Sequence, residues 1–327
     1  MSYIPSSVLL EQMRAGNTWA LGRLISRAEA GVAEVRPTLA EVYRSAGSAQ
    51  IIGLTGVPGS GKSTLVGKLA AALRERGEKL GIVAIDPSSP YSGGAILGDR
   101  IRMTEVANDP NVYIRSMATR GATGGMARAA LDAADLMDVA GYHTIVVETV
   151  GVGQDEVEIA HASDTTVVVS APGLGDEIQA IKAGVLEIAD IHVVSKCDRD
   201  DAGRTLTDLK RMLALEAMAG TRRAWTIPVV GVSSYTGQGI DELLDRIAAH
   251  RAAMAASGQG AERRRRVAEF RLQKTAETLL LERFGIGARA FSPPLADRLA
   301  NRAFDPYAAA RELITQTIQK EYANDLA

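Results

Sequence analysis

The 327-residue sequence has one cysteine, Cys197, so no intrachain disulfide can form, and nothing in it has the spacing of a Cys/His metal cluster. Its four histidines, His143, His161, His192 and His250, lie apart without chelating intervals, which disfavours a His-rich metal-delivery tract. Aromatic residues are scarce, with 4 Phe, 2 Trp and 8 Tyr, and that argues against a base-stacking platform for single-stranded nucleic acid. Neither sign of charge prevails. The 37 basic and 39 acidic side chains leave a formal charge of -2, which gives no global pull on a polyanion, so any phosphate binding must be local. No stretch approaches about 20 uninterrupted apolar residues. The opening MSYIPSSVLLEQMRAG has neither the basic start nor the apolar run of a signal peptide. The expectation is a soluble, cytoplasmic protein that binds neither nucleic acid nor membrane. A composition of 46% hydrophobic and 23% charged residues is that of an ordinary globular chain and excludes collagenous or largely disordered readings.

What is present falls into three regions. Residues 1–48 carry apolar positions at helical spacing, among them Leu9, Met13, Leu21, Leu24 and Ile25, and predict a helical N-terminal extension. From Gln50 the pattern changes to short β-branched runs: IIGLTG, LGIVAID, HTIVVET, TTVVVSA, IHVVSK and IPVVGVS. Continuous rather than alternating apolar runs, mostly separated by helical segments, predict strands buried on both faces. The fold class expected for residues 49–252 is therefore α/β, a doubly wound, mainly parallel sheet. After His250 the stretch MAASGQGAE, rich in Gly, Ala and Ser, reads as a linker. Residues 253–327 then form a C-terminal helical extension, EFRLQKTAETLLLERFG followed by a Pro293-Pro294 break and PYAAARELITQTIQKEY. Such appendages serve dimerisation or simply cover sheet edges. The basic run ERRRR at 262–266 reads as a solvated helix face, because Glu and Ala flank it and few aromatics accompany it.

The first strand runs into Gly56-Val57-Pro58-Gly59-Ser60-Gly61-Lys62-Ser63-Thr64, which fits G-x-x-x-x-G-K-[ST] and precedes a helical pattern. The glycines let successive N–H groups converge on a β-phosphate at the positive end of the helix. Lys62 is placed to reach the β- and γ-phosphates, and the Ser63 hydroxyl to bind Mg2+. Nucleoside triphosphate binding follows. Asp86, at the end of the second strand, and Asp99, in GGAILGDRIRM, are candidates for the magnesium shell, with helix-cap or turn roles as the alternatives. Glu148 ends the run TIVVET and Gly151 follows three residues later, the order of a magnesium-orienting acid and a glycine whose N–H senses the γ-phosphate. Ser195-Lys196-Cys197-Asp198 corresponds to the guanine-reading N-K-x-D pattern with Ser in place of Asn. An Asp there accepts from guanine N1 and N2, donors that adenine does not pair, so GTP and GDP are expected over ATP. A surface turn is the plain alternative. Ser233 and Ser234, after the next strand, would contact the base oxygen through the backbone.

With these residues in place the sequence resembles the GTPase chaperones of cobalamin-dependent acyl-CoA mutases, the MeaB/ArgK family of P-loop GTPases. The segments that carry the likeness are LLEQMRAGNTWALGRLISRAE, TGVPGSGKST, AIDPSSPYSGGAILGDRIRM, ETVGVGQDE and PGLGDEIQAIKAGVLEIAD. The resemblance implies a homodimeric GTPase that docks on a mutase such as methylmalonyl-CoA mutase and gates cofactor loading, protection or repair. It implies that Lys62, Ser63, Asp86, Asp99 and Glu148 surround the phosphates and Mg2+. It also implies that the segment from Pro172 to Lys182 is a switch whose Asp176, Gln179 and Lys182 couple partner binding to hydrolysis. Without the resemblance that segment is a loop entering an amphipathic helix. Ser195 departs from the family's Asn, and the lost amide is expected to loosen the loop. A small-molecule kinase using the same phosphate loop, or a metal-insertion GTPase, are the alternative functions.

Overall fold

A computed structural model describes residues 3–86, 103, 106–118, 125–149, 155–173, 188–218, 225–283, 293–302 and 305–325. The chain divides into two compact units, Met1–Arg271 and Leu272–Ala327. Among the described residues, the first unit holds a seven-stranded sheet in the order β3-β2-β4-β1-β5-β6-β7. The strands are β1 (Gln50–Gly56), β2 (Leu80–Asp86), β3 (Val112–Ala118), β4 (Thr144–Thr149), β5 (Thr165–Ser170), β6 (Ile191–Val194) and β7 (Val229–Gly231). Every neighbouring pair is parallel. That is the doubly wound arrangement the apolar runs predict.

Both faces are covered, and this explains why the strands lack a polar face. On one side Ile52, Leu54, Ile82, Val146, Val167 and Val193 pack against Leu65, Val66 and Leu69 of α4 (Lys62–Glu75) and Leu243 and Ile247 of α8 (Ile240–Ala256). On the other, Val83, Ile85, Ile145 and Val147 meet Ala133 and Met137 of α5 (Gly125–Val139) and Ile159 of α6 (Asp155–Ala162). The N-terminal helices α1 (Ser6–Arg14), α2 (Thr18–Glu29) and α3 (Arg36–Ser45) contribute to this second cluster through Leu9, Met13, Leu21, Leu24, Ile25 and Val42, all buried. Asn17 starts α2 by accepting from the Trp19 and Ala20 amides, which fixes where the apolar stripe begins.

Two elements differ from the reading of the sequence. Strand β3 (VYIRSMA) has no apolar run, because it is an edge strand in which Val112, Ile114 and Met117 are buried while Arg115 leaves the sheet to pair with Glu29 of α2 at 2.6 Å. The expected linker is mostly helix: α8 continues to Ala256, and only Ser257 and Gly258 separate it from α9 (Gln259–Arg283). Alanine and glutamate in that stretch favour helix, and Gly258, at φ 73°, makes the single break. In the second unit, α10 (Pro293–Ala300) begins at the Pro-Pro pair, and its Arg298 meets Glu312 of α11 (Pro306–Asp325) at 3.2 Å. Proline suits a first helical position because its missing N–H has no partner to lose. Between β6 and β7, α7 (Ala202–Met218) completes the described helices of the sheet unit. No helix among the described residues is long and apolar enough to cross a membrane.

At the amino ends of the strands α9 is pinned by one arginine from the basic run. Arg263 donates through Nε to the Ser163 carbonyl, through Nη1 to Asp190 and through Nη2 to Thr166 Oγ1, at 2.9, 2.9 and 3.1 Å. Asp190 also accepts from the Thr166 amide at 2.7 Å and faces His250 Nε2 at 3.4 Å, while the Thr165 hydroxyl lies 2.9 Å from His250 Nδ1. Burial pushes the Asp190 carboxyl up, but the His250 hydrogen bond and the Arg263 charge outweigh it and hold the group below the usual aspartate range.

Candidate functional site

In parallel sheets ligands gather at the carboxyl ends of the strands, near the point where the strand order changes direction. Here β1 lies at the centre with β4 on one side and β5 on the other, and the Gly56–Thr64 loop follows β1 directly. Gly56 has φ 141°, and a Cβ there would lie 2.0 Å from the Val169 carbonyl oxygen of β5, so only glycine lets the chain leave the sheet at this point. Gly61, at φ 87°, is the N-cap of α4, with no side chain capping the helix and no acid in its first turn. The first amides of a 14-residue helix are thereby left facing the loop, which is the chemistry that receives an anionic phosphate.

Lys62 is 6% exposed, and its Nζ donates to the carbonyls of Gly56 at 2.6 Å and Val57 at 3.0 Å. The ammonium is thus held within the turn of the loop. Ser63, the next residue, donates from Oγ to Glu148 Oε1 at 2.7 Å. The register of β4 between β1 and β2 puts Glu148 opposite Leu54 and Ala84, and the carboxylate is 4% exposed. A hydroxyl and a buried carboxylate converging beside a phosphate loop form a hard oxygen donor set, so the residues present fit Mg2+. Pro58, Gly59 and Thr64 are exposed, and Ser60 is buried. Asp86 is the last residue of β2, so its backbone stands at the same sheet edge; its side chain lies outside the described structure. Asp99, Gly151, Asp176, Gln179 and Lys182 also lie outside the described residues, and of the Pro172–Lys182 segment only Pro172 and Gly173 are described.

The guanine-type loop follows β6. Its Ser195 is 3% exposed and donates to the Ser60 carbonyl at 2.5 Å and the Ser170 carbonyl at 3.0 Å. The expected loosening at this position is therefore met by a hydroxyl that ties the loop to its neighbours. Lys196 adopts φ 53°, a left-handed conformation costly for a residue with a Cβ. That turn carries its side chain across the phosphate loop, where Nζ donates to the Gly59 carbonyl at 2.9 Å. Asp198 is exposed, and hydrogen bonds from the Ser233 hydroxyl and its own backbone hold its carboxyl below the usual range. An ionised, accessible acceptor stands where paired N–H donors of a base could meet it. Ser233 in turn accepts from the Thr236 amide at 3.2 Å, and Ser234 is half-buried beside it. Cys197, between Lys196 and Asp198, has its thiol pushed up by burial and by the Asp198 charge, which disfavours the reactive thiolate. Ser170 was not legible as a site residue; it is simply the last residue of β5, and only the sheet brings it to Ser195.

Comparison with known proteins agrees with this geometry. Residues 21–288 match the family described as methylmalonyl Co-A mutase-associated GTPase MeaB. A Pyrococcus horikoshii protein, itself only provisionally named a GTPase, is 41% identical over 320 residues, covering 96% of this chain and 98% of its own. The GTPase ArgK of Escherichia coli is 37% identical over 231 residues, 70% of this chain and 67% of its own. The mouse mitochondrial methylmalonic aciduria type A homolog is 36% identical over 268 residues, 80% of this chain and 64% of its own. Among solved structures, one described as an LAO/AO transport system kinase superposes with a TM-score of 0.68 at 25% identity, covering 98% of this chain and 99% of its own. A match over most of the length, joined to the phosphate loop and its acid, makes this chain a GTPase of the methylmalonyl Co-A mutase-associated MeaB family.

Proposed function

We propose that this GTPase serves as a chaperone for a cobalamin-dependent acyl-CoA mutase, methylmalonyl-CoA mutase or a related enzyme, binding it and gating the loading, protection or repair of its cofactor. The observation that carries the reading is the match of residues 21–288 to a family named for its association with that mutase. In this reading Lys62 leaves the Gly56 and Val57 carbonyls for the β- and γ-phosphates of GTP, which offer its ammonium full negative charges. Ser63 and Glu148, with Asp86 and Asp99, would hold Mg2+, which when bound neutralises charge on the phosphate oxygens. The Gly151 amide reads the γ-phosphate. Asp198 accepts from the guanine edge, the Lys196 stem lies along the base, and Ser233 and Ser234 border it. Asp176, Gln179 and Lys182 form the switch that answers to the mutase.

The family's dimeric state fits residues 253–327 as the pairing surface. Leu272, Leu279, Leu280 and Leu281 on α9 are exposed, as is Tyr307 on α11, and exposed apolar side chains grouped on a helix favour a protein partner.

The decisive experiment measures GTP hydrolysis with and without the mutase. The mutase is expected to accelerate turnover by stabilising one switch state, since a partner shifts an equilibrium only through differential binding. Lys182→Ala should keep nucleotide affinity and lose most of that acceleration. No acceleration of the wild type would overturn the chaperone reading. One observation favours a second reading: the solved structure that covers 98% of this chain is described as a transport system kinase. Incubating γ-labelled GTP with cell extract separates the two, because a kinase leaves the label on a metabolite and a GTPase leaves it on phosphate.

A further inference from the structure

The backbone pairing between β1 and β4 stops short of the pairing on their outer sides. Between these two strands the register runs from Gln50–Thr144 to Leu54–Glu148. On the far side of β4 it continues to Ile85–Thr149, and on the far side of β1 to Gly56–Val169. The ladder therefore ends first between the two strands whose exits carry the phosphate loop and Glu148. One position beyond that last pair, the Thr149 hydroxyl donates to the Thr55 hydroxyl at 2.9 Å, and the two residues are buried at 1% and 0% exposure.

These hydroxyls stand in an otherwise apolar row. Side chains alternate along a strand, so Glu148 faces α4 together with Val146, while Thr149 faces the α5 and α6 side together with Val147. Across that second face the row reads Ile85, Thr149, Thr55 and Val168. Valine would fill either threonine position with the same shape and no hydroxyl to desolvate. The cost of burying two hydroxyls is offset by the bond between them, and that bond crosses from β1 to β4. It fastens the residue before Gly56, where the chain turns into the phosphate loop, to the residue after Glu148, whose Oε1 accepts from Ser63 at 2.7 Å.

We propose that the Thr55–Thr149 pair pins the exit of β1 to the exit of β4 where the backbone ladder no longer does, and that Thr149 is thereby a positioning residue for the Glu148 carboxylate. Neither hydroxyl touches the ligand, since both lie on the face of the sheet away from α4. Without the pin β4 keeps its pairing with β2, and β1 its pairing with β5. The two halves of the oxygen donor set, Ser63 and Glu148, then follow different neighbours, and their spacing is no longer fixed. The proposal rests on the magnesium reading of Ser63 and Glu148 and adds to it what holds the two together.

The test titrates Mg2+ into the full chain with GDP bound, by calorimetry, beside measurements of GTP hydrolysis and of GDP affinity in EDTA. Thr149→Val keeps the shape and removes the proton. Its Mg2+ affinity should fall about tenfold and kcat for GTP by a similar factor, short of the roughly hundredfold loss that a full ångström of misplacement can bring. Metal-free GDP affinity should stay unchanged. Thr55→Val should do the same from the other strand, and the double variant should lose no more than either single one, as two residues acting through one bond require. Thr149→Ser, which keeps the hydroxyl, should restore both Mg2+ affinity and kcat. A Thr149→Val chain with wild-type Mg2+ affinity would overturn the proposal whatever its melting temperature, as would a loss that Thr149→Ser fails to restore. An equal loss of metal-free GDP affinity would also overturn it, by marking a general loosening of the loop. Failure of the underlying reading shows separately: Mg2+ binding equally to wild type and Glu148→Gln would remove the carboxylate from the metal site, and the purpose of the pin with it.

Discussion

The two edges of the central sheet use similar side chains for opposite ends. At the amino ends of the strands Arg263, Asp190, His250, Thr165 and Thr166 bond to one another in a closed network, with the three guanidinium nitrogens each engaged. At the carboxyl ends an uncapped helix start, a lysine resting on backbone carbonyls and a hydroxyl on a buried carboxylate converge on a loop whose faces are partly exposed. Buried charge is tolerable in either arrangement. The difference lies in what completes it: a fixed protein partner at one edge, and at the other backbone contacts that a polyphosphate can replace. A cluster of polar residues therefore signals a site only when its bonds are of the exchangeable kind.

This contrast is broken most sharply at Lys62. Lys62→Ala should reduce kcat/KM for GTP by about a thousandfold, the loss expected when a charge that stabilises the transition state is removed, while circular dichroism shows the fold retained. Undiminished turnover would refute its place at the phosphates. At the other edge Arg263→Ala should do the reverse. Removing one partner of a buried pair leaves Asp190 uncompensated and should cost about 3 kcal/mol in urea unfolding, with KM for GTP unchanged. A change in KM at unaltered stability would show that the two edges are coupled.

Asp198→Ala sharpens the comparison within the site. It should weaken GDP by about thirtyfold, as expected for charge-assisted hydrogen bonds to the base, and leave ADP affinity where it was. Parallel loss of both nucleotides would make Asp198 a loop-shaping residue. The smallest effect is a pH dependence. Because Asp190 is held below its unfolded value, the stability it contributes is fully present above that value and is lost as pH falls through the lower folded one. The acid limb of a stability-versus-pH curve should therefore be shallower in Asp190→Asn than in wild type, and identical limbs would show that Asp190 carries no linkage.

Much of the molecule was determined by local sequence. The continuous apolar runs at 51–56, 80–86, 144–149, 165–170 and 191–194 required strands covered on both faces, and Gly56 to Ser63 required a phosphate loop because few other turns demand that glycine spacing before a lysine. Glu148 was legible as well, as a carboxylate at the end of a buried strand. Strand β3 was not, because an edge strand shares its hydrogen bonds with one neighbour and can keep Arg115 and Ser116 at positions a central strand would fill with apolar groups. Nor was the role of Arg263, one of four consecutive arginines that composition cannot tell apart; only the packing of α9 selects which one reaches Asp190. Sequence likewise presented Ser195 as a missing asparagine. Whether a hydroxyl suffices there depended on the separation of three chain segments, which local residues do not encode and the close packing of β1, β5 and β6 does.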